Sequence, residues 1–506
     1  MIMKTKYIIL ILISISICCA SCGDSFLTLS PKDSVTDADF FKTEADAQSA
    51  LIGVYASLQH EAAFTNIRNA SDIEWAMTGD LYEMDRSANR IELHSLRLPA
   101  NNSIIRDIYE RAYFGISRAN VVINRTEQMD LPSEVKEEII GQALFLRGLY
   151  YYNLVHYFGG VPLITNELTA ADNLQIPRST ADEVWDQVEK DFLLAAEKLP
   201  SKWKEAKDLG KATKTSAYGF LVKTYLWREK WQLAVDYSEK IIETGVHKLI
   251  TTGYRDIFRE ENENNEEMVF STQFSTLIGE SNWLVARTAP RGAPSKYTGP
   301  HAWSNFVPYK HWVDAMEKNE DGTIRDERYK VIMGPGEVHP ENGYQLPDNP
   351  PVGMTKTGYI VTKYWFMPPV QQSGINAPIL RYAEVLLNYA EALNEVGEGA
   401  KAMEQVNKIR KRANLDDKPL SLSKDEVLDA IFAERRFEFM WEPTGGFNDL
   451  NRRGRFLEYI KKNRIDYAEL EVDKKPWLHT KPILFPIPTD AWTKNKALEQ
   501  NPHYTF

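Results

Sequence analysis

The chain has 506 residues, with 60 Lys and Arg against 71 Asp and Glu and a formal net charge of −11. So acidic a body excludes nucleic-acid binding through the phosphate backbone, which needs a basic patch, and attachment to anionic lipid by surface charge. The three cysteines, Cys18, Cys19 and Cys22, lie at the extreme amino terminus, so Gly23 to Phe506 carries no disulfide framework.

The chain opens with Lys4 and Lys6, an apolar run from Tyr7 to Ile17, and small residues before Cys22. This is the pattern of a secretory signal peptide over residues 1–21. A helix from Tyr7 to Ala20 reaches only about 21 Å, short of the roughly 30 Å hydrocarbon core of a bilayer, so it is read as cleaved rather than spanning. Ala20-Ser21-Cys22 resembles a bacterial lipobox, which makes Cys22 the acylated first residue of the mature chain. Cys19 stands where Leu is usual and is a second candidate. Cys22 is favoured because Ala and Ser directly precede it. Two or more acyl chains hold a protein stably on a membrane.

From residue 36 to about 265, and again from 378 to 506, the apolar positions recur at helical spacing. Leu144-x2-Arg147-Gly148-x2-Tyr151 has the register of the first helix of a tetratricopeptide pair, and Gly159-Gly160 with Pro162 ends that helix. Its partner begins only after a loop, at the capping box Thr180-x2-Glu183, and stops before Pro200. Tyr218-x2-Leu221-x3-Tyr225 with Ala234, and Leu386-x2-Tyr389-Ala390-x2-Leu393 with Ala402, predict two further helix pairs over 211–245 and 379–413. Ser423-x2-Glu426 opens another helix through Met440. Each pair leaves an apolar face bare, so the units must stack. Arg147, Arg381 and Arg435 fall on apolar helical faces and need buried carboxylate partners, for which Glu384, Glu391 and Glu438 are the candidates.

Residues 271–377 differ. Prolines such as Pro290, Pro294, Pro300, Pro308, Pro350 and Pro351 forbid long helices there, and Trp283, Trp303, Trp312 and Trp365 are four of the chain's twelve tryptophans. An aromatic-rich insertion on a rigid scaffold is the usual form of a binding surface. The fold class expected is therefore mostly all-α, a tetratricopeptide-like scaffold with a loop-rich insertion. Residues 22–506 read as one domain.

No metalloprotease helix, nucleophile elbow, phosphate loop or dinucleotide fingerprint appears. Glu317-Lys318-Asn319-Glu320-Asp321-Gly322 has the opening spacing of a calcium loop, but its twelfth position is Arg328 where a bidentate carboxylate is required, so an Asp-Gly turn is expected. The nine histidines show no ligand-like pair. No catalytic residue, metal or cofactor is assigned.

Several ordered blocks resemble the SusD/RagB family of nutrient-binding lipoproteins. They are Phe26-Leu27 with Pro31 and Phe40 to Tyr55, then Gln142 to Tyr151 leading to Phe158-Gly159-Gly160-Val161-Pro162-Leu163. Leu380 to Ala392, Val406 to Arg410, Glu434 to Glu438 and Asp449 to Gly454 follow, and Leu484 to Pro488 with Gln500 to Tyr504 close the chain. One departure is Glu442-Pro443-Thr444-Gly445-Gly446-Phe447, where the family commonly has Glu-Gly-Lys/His-Arg. The resemblance implies a lipid-anchored, surface-exposed outer-membrane protein without catalytic activity. Such a protein captures an oligosaccharide as a lid on a SusC-like TonB-dependent transporter. Peptide capture, as in RagB-like members, is the alternative within the family, and a surface glycoside hydrolase the alternative outside it.

For a glycan, flat aromatic faces and planar polar groups are needed. Trp283, Tyr297 and Trp303 are the expected stacking residues, with Arg287, Arg291 and Asn305 as polar neighbours. Trp75, Asp80, Tyr82 and Arg86 form an expected second wall. Trp312, Trp365, Trp185, Trp227 and Trp441 are expected in the core.

Overall fold

In the computed structural model, which describes residues 41–60, 72–169, 171–277, 279–366 and 373–506, the helical periodicity resolves into antiparallel helix pairs. Cys22 with its leader, and Phe26, Leu27, Pro31 and Phe40 of the amino-terminal block, lie outside the described residues. Helix α1 (Glu44–Gln59) starts at a Thr43/Asp46 capping box, and β1 (Leu81–Glu83) and α2 (Ala88–His94) follow. Helices α3 (Ser103–Glu127) and α4 (Ser133–Phe158) pack together. From Ile139 to Phe158 every residue of α4 is buried, so this helix is covered around its whole circumference and forms the axis on which its neighbours lie.

Gly159 ends α4 at φ +70, a left-handed geometry that glycine adopts without a Cβ penalty. Arg178 donates from Nε to Gly160 O and from Nη2 to Phe158 O, which turns the chain back into α5 (Ala181–Lys198). The Thr180/Glu183 capping box is present. Helices α6 (Lys214–Trp227) and α7 (Trp231–Glu243) form the second expected pair, α8 (Tyr382–Glu395) and α9 (Gly399–Arg412) the third, and α10 (Lys424–Glu438) begins at the Ser423/Glu426 box. Two shorter helices, α11 (Phe447–Arg452) and α12 (Phe456–Asn463), follow.

The loop-rich interval departs from and rejoins the helices through β2 (Met268–Thr272) and β6 (Ala377–Arg381), paired antiparallel with Met268 opposite Arg381 and Thr272 opposite Ala377. Among the described residues between them lie only short helical turns and β3 (Phe306–Pro308), β4 (Ile332–Met333) and β5 (Ile360–Val361). The strands described form three two-stranded pairs, β1 with β3, β2 with β6 and β4 with β5. The 317–324 segment is a tight turn. Asp321 Oδ1 accepts from Thr323 N and Oγ1, with Gly322 at φ +84.

The arginines on apolar faces are paired as charge burial demands. Arg147 Nη2 lies 2.7 Å from Asp191 of α5, a partner not among those expected. Arg381 reaches Glu267 at 2.6 Å, Glu438 at 2.9 Å and Glu442 at 2.7 Å. Arg412 joins Glu267 and Glu438, and Lys363 Nζ lies 2.5 Å from Glu442. Arg435 pairs with Asp449 at 2.6 Å, while Glu391 serves Arg452 instead. Burial alone raises a carboxyl group, but Arg412, Arg381 and Arg328 together bring Glu438 down to about 2.

Candidate ligand-binding site

Backbone hydrogen bonds build the aromatic part of the insertion before any side chain acts. Asn282 exchanges backbone bonds with Ser373, and its Oδ1 accepts from Leu284 N at 2.9 Å, opening the helical turn Leu284–Thr288. The returning segment is laced to that turn by Trp303 N to Ala286 O at 2.8 Å, Asn305 N to Arg287 O at 2.9 Å and Ser304 N to Ala289 O at 3.0 Å. These bonds fix Trp283 and Trp303 side by side, with ring centroids 5.1 Å apart and planes inclined by 38°. His301 completes the group, 5.4 Å from Trp283 and 5.9 Å from Trp303. All three rings are half-buried, so each keeps some surface in solvent.

The second expected wall adjoins the first through strand pairing. Tyr82 stands opposite Val307 in the β1–β3 pair, and Met84 N donates to Asn305 O at 2.7 Å. Tyr82 is half-buried, edge-on to Tyr309 at 5.9 Å, and the exposed Arg86 guanidinium lies 5.6 Å from its ring. Tyr309 stacks in turn on His311. Burial pushes the Tyr309 phenol up and holds His311 below the usual imidazole range, with the Asp80 carboxylate opposing the latter.

Not every expected residue faces outward. Trp75 is 0% exposed and donates from Nε1 to Glu442 O, so it is core and offers no face to a ligand. Asp80 is buried beneath Arg436 and the Tyr459 hydroxyl, each 2.6 Å away. Arg287 and Asn305 are also buried and shape the platform from below, and Arg291 is half-buried with its N donating to Ser304 Oγ. Tyr297 belongs to another group, edge-on to Tyr344, with its carbonyl accepting from Trp365 Nε1. Trp312, Trp365 and Trp441 are core as expected, whereas Trp185, buried at 8% exposure, and the half-buried Trp227 both line a groove. His301 and Tyr309 were not singled out by the sequence. Their only signal was position within the aromatic-rich interval.

The departing turn at 442–447 also has a structural explanation. Residues Asp72–Ala76 form a single π-helical turn packed against it. A Cβ on Gly446 would lie 2.0 Å from Glu74 O, so only glycine allows the two backbones to touch. Glu74 accepts from the N of Gly446 and Asn448 and from Asn448 Nδ2. The described residues contain no group of three or more His, Cys, Asp or Glu side chains able to hold a metal ion. No helix among them is long and apolar enough to cross a membrane.

Residues 266–504 match a family model described as the SusD family, and residues 25–226 match one described as "Starch-binding associating with outer membrane". SusD-like protein P25 of Formosa agariphila is 24% identical over 95% of both chains. A SusD-like protein of Bacteroides ovatus is 26% identical over 92% of this chain and 85% of its own. Among solved structures, a SusD-like protein of Bacteroides fragilis superposes with a TM-score of 0.78 at 23% identity, over 94% of this chain and 100% of that one. A laminarin-binding SusD-like protein superposes with a TM-score of 0.73 at 22% identity, over 92% and 100%. These structural likenesses concern the fold.

Proposed function

The chain belongs to the SusD/RagB family, and from that premise we propose that it is a non-catalytic glycan-binding lipoprotein. In this reading Cys22 is acylated and anchors the mature chain, residues 22–506, to the outer surface of the outer membrane. The protein captures an oligosaccharide and passes it to a SusC-like TonB-dependent transporter. The description of the amino-terminal family model, with its outer-membrane association, supports the location.

The observation that carries the ligand class is the half-buried Trp283, His301 and Trp303 cluster on the insertion. Aromatic faces held in fixed orientation stack on the apolar faces of sugar rings, and the strand pairing brings Tyr82 and Arg86 onto the adjoining wall. Arg291 supplies a nearby guanidinium for hydroxyls. Tyr297, packed against Tyr344 and Trp365, stands outside this cluster.

Affinity electrophoresis of the mature chain in gels containing laminarin or soluble starch tests this. Retention of the parent, lost in Trp283→Ala and Trp303→Ala with no sugar released, is the expected result. Unchanged retention of both variants refutes the site, and reducing ends released by the parent refute the non-catalytic reading. Capture of peptides but of no glycan transfers the ligand class to peptide.

A further inference from the structure

Away from the insertion, a groove of about 800 Å³ opens between the end of α4, the start of α5, the α6–α7 turn and the segments around 453 and 482. It shares no lining residue with the Trp283, His301 and Trp303 cluster. Three tryptophans line it. Trp185 and Trp227 stack with centroids 5.9 Å apart at 29°, and Trp231 lies under the Arg453 guanidinium at 5.0 Å. Trp227 and Trp231 are half-buried.

The turn that presents them is built at a cost. Glu229 has φ +52, a left-handed geometry unusual for a residue with a Cβ. Lys230 N donates to Tyr225 O at 2.9 Å, which closes the turn and sets Trp227, at the end of α6, and Trp231, at the start of α7, on the same groove.

The floor of the groove is not ordinary apolar core. Trp227 and Arg452 also wall a small, partly open cavity of about 30 Å³ beside it. Asn153 and Glu384 line that cavity at 3% and 1% exposure, and Asn153 Oδ1 and Glu384 Oε2 have no hydrogen-bond partner among the described residues. Buried acceptors of this kind call for hydroxyl or water donors.

Charge narrows the ligand. Arg453 is paired with Glu395, Arg452 with Glu391, and Arg228 with Asp186 and Glu189, so the guanidinium groups of the lining are already compensated. Exposed Lys481 and the exposed carboxylates of Asp182 and Glu229 complete a lining of mixed sign. Such a surface suits a chain rich in hydroxyls and without charge rather than a polyanion.

We propose that the groove lined by Trp185, Trp227 and Trp231 is a second glycan site, which holds a neutral polysaccharide at a point distinct from the insertion. The proposal rests on the glycan-binding reading above. Two sites on one chain turn the second contact into an intramolecular event, which raises avidity for long chains without any new contact.

Calorimetry of the mature chain with a short oligosaccharide of whichever gel polysaccharide retains it, laminarin or starch, tests the proposal. Affinity gels of the full-length polysaccharide run beside it, with alginate as the polyanion control. Two oligosaccharides per parent chain are expected, falling to one in Trp231→Ala and to one in Trp283→Ala/Trp303→Ala. Polysaccharide retention is expected to weaken at least about tenfold in Trp231→Ala. Lys481→Ala, an exposed change that spares the fold, is expected to weaken the groove site alone. A parent stoichiometry of one that is abolished by the insertion variant and untouched by Trp231→Ala overturns the second site and leaves the function standing. A parent that binds no polysaccharide overturns both, and tighter retention on alginate than on the neutral polymers overturns the ligand class.

Discussion

Replacing Arg381 by Met keeps most of its volume and removes the centre of the buried ion array. At present Glu267, Glu438 and Glu442 face Arg381, Arg412 and Lys363, three against three, while Arg328, 3.8 Å from Glu438, is compensated by Asp326. Without Arg381 one negative charge is left uncompensated in a site closed to water. Breaking a buried pair from one side costs about 3–5 kcal/mol, far more than the cavity term of so conservative a swap. Arg381→Met should therefore lower the urea unfolding midpoint, read by tryptophan fluorescence, by the equivalent of that amount. Arg381→Met/Glu442→Gln restores two carboxylates against two cations and should recover at least about 1 kcal/mol relative to the sum of the single changes. Because Arg381 ends β6 opposite Met268, protease cleavage within 273–366 should also quicken. A variant whose midpoint stays within about 0.5 kcal/mol of the parent would show that the array is not held together by charge balance, and the reasoning would fail.

Two further results are expected. Burial first, and the Asp449 carboxylate second, push Glu74 up to about 8 from 4.5, so the folded state keeps a proton that the unfolded chain loses. The contribution is full below pH 4.5 and disappears as pH rises through 8, so stability falls over that window. Glu74→Gln, measured at pH 5, 7 and 9, should flatten the fall, and parallel pH profiles for parent and variant would contradict it. Gly446→Ala drives a Cβ into Glu74 O at 2.0 Å, so it should destabilise by about 1–3 kcal/mol and disturb the turn before β1. A thermal midpoint equal to that of the parent would show that the backbones separate freely.

Much of the scaffold was legible because helix burial is periodic and helix starts are chemically marked. The Thr180/Glu183 and Ser423/Glu426 boxes, the paired helices around Tyr218 and Leu386, and the need for partners at Arg381 are all local statements. Partner identity was less legible. Asp191 serves Arg147 because α5 returns along α4 after an intervening loop, a geometry that no spacing encodes. The same limit governs the site. Trp75 and Trp283 look alike in sequence, yet Trp75 is enclosed because its indole meets the carbonyl of Glu442, 367 positions away, whereas Trp283 is held at the surface by a turn of its own. Trp227 sits on a helix as core residues do, and only the α6–α7 turn leaves part of it open.

The pairing of β1 with β3 means that the insertion is fastened twice, once at its root by β2 and β6 and once near its middle by a strand that belongs to the amino-terminal half. A loop tied at one end surrenders its conformational freedom when cargo arrives, and that loss is subtracted from affinity. Here most of the loss was incurred during folding. A ligand that stacks on the platform between the two fastenings would meet it already ordered, and little further entropic cost would then be subtracted from its affinity.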